Sequence, residues 1–300
     1  MLLAVLTIIL GMGALVSAVT YLLFWYEALN SPHPSHAEVA GGGSLGRAVL
    51  MGFLSSVSSQ IMAYLSYPTG FARSLWKPKP SPSCTRPPVL LVHGLYHNAS
   101  AWYLFKWLLR RAGYEKVFCW SYNTLKYDFW QLADQLQGIL REASGLCGGE
   151  QVVLMGHSMG GLLTRAALAD PRSAELIRAA VVMAAPNQGS KLAALAVGSL
   201  GRSLIHQGPL VRRLNALRPA QDVPRLNIFS PLDNMVLPTN SLEMPEPGWL
   251  EVQTAPVSHV SMLYHLPTLR LALEFLEETA GCAQREEPPL RADAQSGAAT

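Results

Sequence analysis

Between Val152 and Gly161 the chain reads Val-Val-Leu-Met-Gly-His-Ser-Met-Gly-Gly, and no other stretch limits the fold so strongly. Four apolar residues suited to a buried strand run into Gly-x-Ser-x-Gly, and a helical run over Met159–Ala169 follows. A strand-to-helix turn this tight strains the serine and lifts its hydroxyl above the C-terminal edge of a sheet. Glycine-sized neighbours let the flanking backbone approach. The helix N-terminus then points at the place where negative charge would develop. The bare motif is common and by itself means only a tight turn. Bounded by strand and helix it makes Ser158 a candidate nucleophile.

The chain from Pro88 onward supplies the matching context. Strands are expected at Pro88–Val92, Val117–Trp120, Gln151–Gly156, Ile177–Ala184, Leu226–Ser230 and Trp249–Thr254. Helices are expected at Ala101–Ala112, Tyr127–Ala143, Met159–Ala169 and His265–Glu278. This alternation predicts an α/β fold with a mostly parallel sheet and helices on both faces. Pro186–Pro224 reads as a longer, partly helical insertion, and the polar stretch after Thr279 as a disordered tail.

The N-terminus is of a different kind. No charged side chain occurs from Met1 to Tyr26, a stretch longer than the roughly 20 residues that span a bilayer. Tyr21, Trp25 and Tyr26 gather at its end like an interfacial belt. The competing reading is a cleaved leader with Val16-Ser17-Ala18 at the cut. The absence of a basic segment and the length of the apolar run favour a retained transmembrane helix. Flanking charges (Glu27, Glu38, then Arg47) are too few to orient it. Asn30–Gly46 is a flexible connector by composition. Over Ala48–Leu65 the side chains Leu50, Phe53, Leu54, Val57, Ile61, Tyr64 and Leu65 share one helical face, with Ser55, Ser56, Ser59 and Gln60 largely elsewhere. That helix could lie in the membrane interface, dock on the folded domain or span; its serines make a span the weakest choice. Trp76–Pro88 is a Pro-rich lead.

Composition excludes several functions. Charged residues are only 14% of the chain and the formal net charge is +3 with no basic cluster, so no nucleic-acid partner is expected. Cys84, Cys119, Cys147 and Cys282 lack metal-ligand spacing, and no His-Glu-x-x-His occurs, so neither metal nor cofactor is expected. A Cys119–Cys147 disulfide is open in an oxidising compartment; buried idle thiols are the plainer reading.

Val89-Leu90-Leu91-Val92-His93-Gly94-Leu95 is a second strand ending in a tight loop. In folds with such a turn that loop supplies one oxyanion-binding amide, and the residue after the nucleophile the other. The candidates are the N–H groups of Leu95 and Met159, with His93 shaping the loop. Together with Ala184-Ala185-Pro186-Asn187-Gln188-Gly189-Ser190, these segments resemble bacterial lipases and esterases of the α/β-hydrolase superfamily, over roughly Pro87 to Leu276. Asn187 stands where such lipases carry His, so no role passes to it.

The resemblance implies the chain order serine, acid, histidine. Asp233, in Asn227–Val236 with Val236 three residues on, matches the family's acid; Asp222, before that strand, is the alternative. His259, in Val257–Leu263, matches the base, with His265 as the alternative. His97 comes too early in the chain, His157 is expected to face away from the reacting groups, and His206, His33 and His36 lie in the insertion and connector. Tyr96, Trp102, Tyr103 and Phe105 suggest an apolar acyl pocket. The insertion, with Leu192, Leu195, Leu200, Leu204 and Leu210, suggests a cap. The organisation expected is an anchor over 1–26, linker and amphipathic helix over 27–86, a hydrolase domain over 87–280 with a cap at 187–224, and a tail over 281–300. The function implied is a serine hydrolase of lipid or other acyl esters, single-pass in a bacterial inner membrane. A thioesterase or amidase, or a non-catalytic membrane scaffold, are the other readings. Oligomeric state is not legible.

Overall fold

The computed structural model describes residues 2–30, 40–77, 85–220 and 222–280. Part of the connector with His33 and His36, the middle of the Pro-rich lead with Cys84, and the tail with Cys282 lie outside the described residues.

Six strands form one parallel sheet in the order β2-β1-β3-β4-β5-β6. They are β1 Val89–Val92, β2 Val117–Trp120, β3 Val152–His157, β4 Ile177–Met183, β5 Arg225–Phe229 and β6 Leu250–Gln253. Each falls where the sequence predicts a strand. β1 and β3 are buried along their whole length, which explains their unbroken apolar runs. β2 and β6 are the edges, and only β6 has largely exposed side chains.

The principal helices are α1 Leu2–Leu29, α2 Leu45–Ser66, α3 Tyr103–Arg111, α4 Phe129–Gly145, α5 Met159–Ala169, α6 Gly198–Ser203, α7 Pro209–Asn215 and α8 Leu266–Thr279. Side-chain alternation along the strands sends Val89, Leu91, Val153 and Met155 to a core shared with α3 and α8. Leu90, Val92, Val152 and Leu154 go to a second core under α4 and α5. The sheet is therefore covered on both faces. Residues 99–102 form a 3-10 turn capped by Asn98 before α3 begins, because the Asn98 carboxamide accepts the Ser100 N–H at 3.0 Å. Cys119 and Cys147 are buried thiols not joined by a disulfide, and burial pushes the Cys119 thiol up to about 12.

The N-terminal helices form an antiparallel hairpin laid across the C-terminal edge of the sheet. A side chain at Gly52 would overlap the Tyr21 ring, so α1 and α2 cross at that point. Tyr21, Phe24 and Ala48 form a small core with Leu232 and Leu237 of the loop after β5. Two segments, Leu6–Leu29 and Leu45–Phe71, are long and apolar enough to cross a membrane. The amphipathic order of α2 is inverted relative to an ordinary surface helix. Ser56 and Gln60 are 1% and 5% exposed, whereas Leu50 and Leu54 are 58% and 59% exposed. α1 follows the same rule: Ser17, Thr20 and Tyr21 are buried while Leu15, Val19 and Leu22 are not.

The elbow depends on one contact between backbones. A Cβ at Gly160, in the first turn of α5, would overlap the Val92 carbonyl at the end of β1. Gly160→Ala should therefore destabilise the fold by about 1–3 kcal/mol, read as a lower urea midpoint with unchanged slope.

Candidate active site

Ser158 is the link between β3 and α5, with φ 56° and ψ −125°. A non-glycine residue holds this conformation only where its surroundings impose it. Here the Ser158 N–H donates to the Met183 carbonyl on β4 at 2.8 Å, and the Gly160–Val92 approach fixes the other side. The loop after β1 arrives beside it: a methyl group on Gly94 would sit 3.3 Å from Ser158 Oγ. Among the described residues neither the Leu95 nor the Met159 N–H donates to a protein acceptor. Both lie beside Ser158, in loop and helix start as the sequence places them.

Asp233 follows β5 and is fully buried. Its Oδ1 accepts the N–H groups of Met235 at 2.9 Å and Val236 at 3.0 Å. Its Oδ2 lies 2.7 Å from His259 Nδ1. This partnership places the ring proton on Nδ1 and leaves Nε2 as the acceptor. His259 opens the 3-10 turn Val260–Tyr264 after β6 and lines the same cavity as Ser158. No hydrogen bond closes between Ser158 Oγ and His259 among the described residues; such bonds often tighten only around substrate. The alternatives fall elsewhere. Asp222 is exposed on the surface, and His265 caps α8 through Thr268, off the cavity.

His157 and His97 neighbour His259, and His93 neighbours them in turn. His157, expected to face away, instead packs on His259 with ring centroids 4.8 Å apart, and its Nε2–H donates to the His259 carbonyl at 3.1 Å. His93 accepts the Tyr122 N–H at Nε2 and donates from Nδ1 to Gly94, stacked 4.0 Å from the Tyr122 ring. Burial pushes His93 down to about 3, and burial aided by His259 holds His157 well below the usual histidine range. Burial and then the neighbouring His259 lower His97 to about 4. Of these rings only His259 has a carboxylate partner, Asp233.

Several expectations are redistributed by packing. Trp102 and Phe105 belong to the core and Tyr103 to the surface, because the 3-10 turn rotates them away; Tyr96 reaches the cavity. Of the insertion, Leu192, Leu195 and Leu204 line the cavity, while Leu200 and Leu210 pack on the core under α5. Asn187 is a brace: its side chain donates to the Leu242 carbonyl at 2.7 Å, and its carbonyl accepts from Arg165. Among the described residues no group of three or more His, Cys, Asp or Glu side chains is placed to hold a metal ion.

Sequence reasoning missed the residues that hold the loops of Asp233 and His259 together. Asn234 Oδ1 accepts the His259 N–H at 3.2 Å, and its Nδ2 donates to Thr20 Oγ1 on α1 at 2.6 Å. Ser17 and Ser56 are joined at 2.8 Å across the hairpin. Tyr21 donates to the Leu232 carbonyl at 2.7 Å, and Ser55 accepts the Ser258 N–H at 3.1 Å. The available signal was a polar stripe, Ser17, Thr20 and Tyr21, at helical spacing in an otherwise aliphatic helix.

The comparisons agree with this architecture. Residues 89–293, more than half of the chain, match the model of the alpha/beta hydrolase family. The chain belongs to that family. The hydrolase fold is similar to a Bacillus licheniformis lipase in its mature form, with a TM-score of 0.55 and 17% identity, covering 68% of this chain and 96% of that one. It is similar also to Aspergillus fumigatus lipase B, with a TM-score of 0.57 and 20% identity, covering 67% and 55% respectively. No curated protein matches the hydrolase at a significant level. α1 and α2 precede the matched region.

Two outcomes follow for this hydrolase. His93 and His157 are neutral in the fold and ionise near 6.5 when unfolded, so the unfolded chain binds more protons in acid. Stability should hold above pH 6.5 and fall as pH drops from there toward 3; His157→Gln should flatten this acid limb in urea titrations. Asn234→Ala leaves the buried His259 N–H without its acceptor and removes the tie to Thr20 Oγ1, whose own proton still goes to the Val16 carbonyl, and should cost about 1–3 kcal/mol, read as a lower urea midpoint.

Proposed function

We propose that this chain is a membrane-anchored serine ester hydrolase, of carboxylesterase or lipase type, acting through an acyl-enzyme. The observation that carries the reading is a single cavity lined by the strained Ser158 and by His259, whose Nδ1 lies 2.7 Å from buried Asp233. In the proposed reaction Ser158 Oγ bonds to the ester carbonyl carbon while its proton passes to His259 Nε2. The carbonyl electron pair moves onto oxygen, where the Leu95 and Met159 amides meet it. Each such donor is worth about 2.7–4 kcal/mol in related chemistry. The pair returns, the bond to the alcohol oxygen breaks, and the alcohol leaves with the proton from His259. Water then bonds to the acyl carbon, giving its proton to His259; the bond from that carbon to Ser158 Oγ breaks, Oγ takes the proton back from His259, and the acid leaves. Asp233 holds the tautomer and stabilises the imidazolium throughout.

The proposed organisation keeps an N-terminal anchor, a hydrolase domain and a cap over 187–224. Retention of α1 is supported by its inward face. A cut after Ala18 would remove Ser17, bonded to Ser56, together with Leu15 and Val16 of the cavity wall. The oily outer faces of α1 and α2 support a membrane rather than water as their neighbour.

A fluorophosphonate probe tests the chemistry. Ser158 should be labelled in the parent and not in Ser158→Ala, and Ser158→Ala should lower p-nitrophenyl ester turnover by about 10⁴-fold or more. Asp233→Asn should lower it by about 10³–10⁴-fold. Absence of Ser158-dependent labelling removes the enzyme reading. Cleavage of amides with neglect of esters of both short and long chain length removes the ester assignment.

A further inference from the structure

The cavity that holds Ser158 and His259 has a volume of about 740 Å³, well beyond the space a short acyl group fills and within the range of sites that enclose whole ligands. One of its walls is not part of the matched hydrolase region. Leu15, Val16, Val19 and Leu23 of α1 line it, facing Leu192 and Leu195 of the cap. Three of these residues also belong to the outer surface: Leu15, Val19 and Leu195 are 58%, 43% and 68% exposed. Residues that border both the cavity and the outside mark its mouth, so the mouth opens between α1 and the cap and its rim there is aliphatic.

The surface beyond that rim continues the pattern. Leu22 and Trp25 on α1 and Leu50 and Leu54 on α2 are exposed, and no charge occurs before Glu27. A water-soluble ester would gain nothing from such an approach. A chain already dissolved in hydrocarbon would move from one apolar medium to another without crossing water. Gln60 is 5% exposed and lines the same cavity, so it sets a carboxamide on an otherwise largely apolar wall. An amide has both donors and an acceptor to offer the polar end of an ester.

We infer that the hydrolase takes membrane-resident lipid esters sideways from the bilayer, with the acyl chain lying along the Leu15–Leu23 face of α1 and the ester at Ser158. This rests on the serine-hydrolase reading above and adds the substrate class and its route. On this account α1 is a wall of the acyl site as well as an anchor.

The test uses the full chain in phosphatidylcholine–phosphatidylglycerol vesicles. The probe is a hexadecyl fluorophosphonate carrying a diazirine at the chain terminus. Ser158 Oγ bonds to phosphorus as fluoride leaves; excess probe is removed and the sample is irradiated. Peptide mapping should find crosslinks on α1 between Leu15 and Leu23 and none in Ser158→Ala. Crosslinks confined to the loop and turn around Asn98–Ala101, or linking two copies of the chain, would overturn the route while leaving the serine chemistry standing. No labelling of Ser158 would instead remove the reading on which the route rests. In a second measurement, Val19→Trp should lower the ratio of long-chain lipid ester to short-chain ester turnover by about tenfold or more. An unchanged ratio would count against the α1 wall. The crosslink uses the unaltered chain, so it decides even if this variant does not fold.

Discussion

The buried carboxamide of Asn234 joins three parts of the chain that are far apart in sequence. It accepts from the His259 backbone and donates to Thr20, while its neighbour Asp233 holds the His259 ring. A primary amide has two donor hydrogens and an acceptor oxygen, so one side chain can meet partners on two sides. Inside a packed interface such partners are costly to lose, because water is not there to replace them. The position of the loops carrying Asp233 and His259 is therefore tied to the position of α1. Ser55 repeats the arrangement from α2, accepting from Ser258 immediately before the histidine. These contacts make the hairpin part of the frame around the site.

Around the same point the electrostatics are set by exclusion. Four imidazoles occupy the loops near Ser158, yet a carboxylate faces only His259 among the four. His93 and His157 each donate one ring proton to a backbone carbonyl and are stripped of water. A second cation beside His259 would oppose its protonation, and desolvation prevents that cation from forming. The neutral rings act as shaped packing, with His93 filling the space between the loop after β1 and Tyr122.

Much of the fold was legible because local and global signals coincide. β1 and β3 read as unbroken apolar runs since both their faces are covered, and Gly156 and Gly160 are required by close backbone contacts, with Gly160 and Val92 respectively. Asp233 and His259 could be chosen over Asp222 and His265 by their places after strands, and the structure brings the chosen pair together. Less legible were features set by tertiary packing. Whether Trp102 or Tyr96 reaches the cavity depends on a 3-10 turn four residues long, which periodicity does not resolve. The orientation of His157 depends on a loop a hundred residues away. The role of α2 was open because its apolar face and its serine face each offered a reason to dock.

That last ambiguity is resolved by asking which face needs a protein neighbour. In water an amphipathic helix buries Leu and exposes Ser, since leucine loses by contact with water and serine does not. In α2 the reverse holds: Ser56 and Gln60 are inside, and Leu50 and Leu54 are outside. This order lowers the free energy only if the outer medium is apolar, for then the hydroxyls are the groups that must find partners within the protein. They do so at Ser17, Ser258 and Ser261. In the proposed membrane setting the inversion and the polar seam would both follow from one solvent condition. A helix that merely tethered the hydrolase would satisfy that condition without touching the loops of Asp233 and His259, whereas α1 and α2 direct every one of these hydroxyls toward each other or toward those loops.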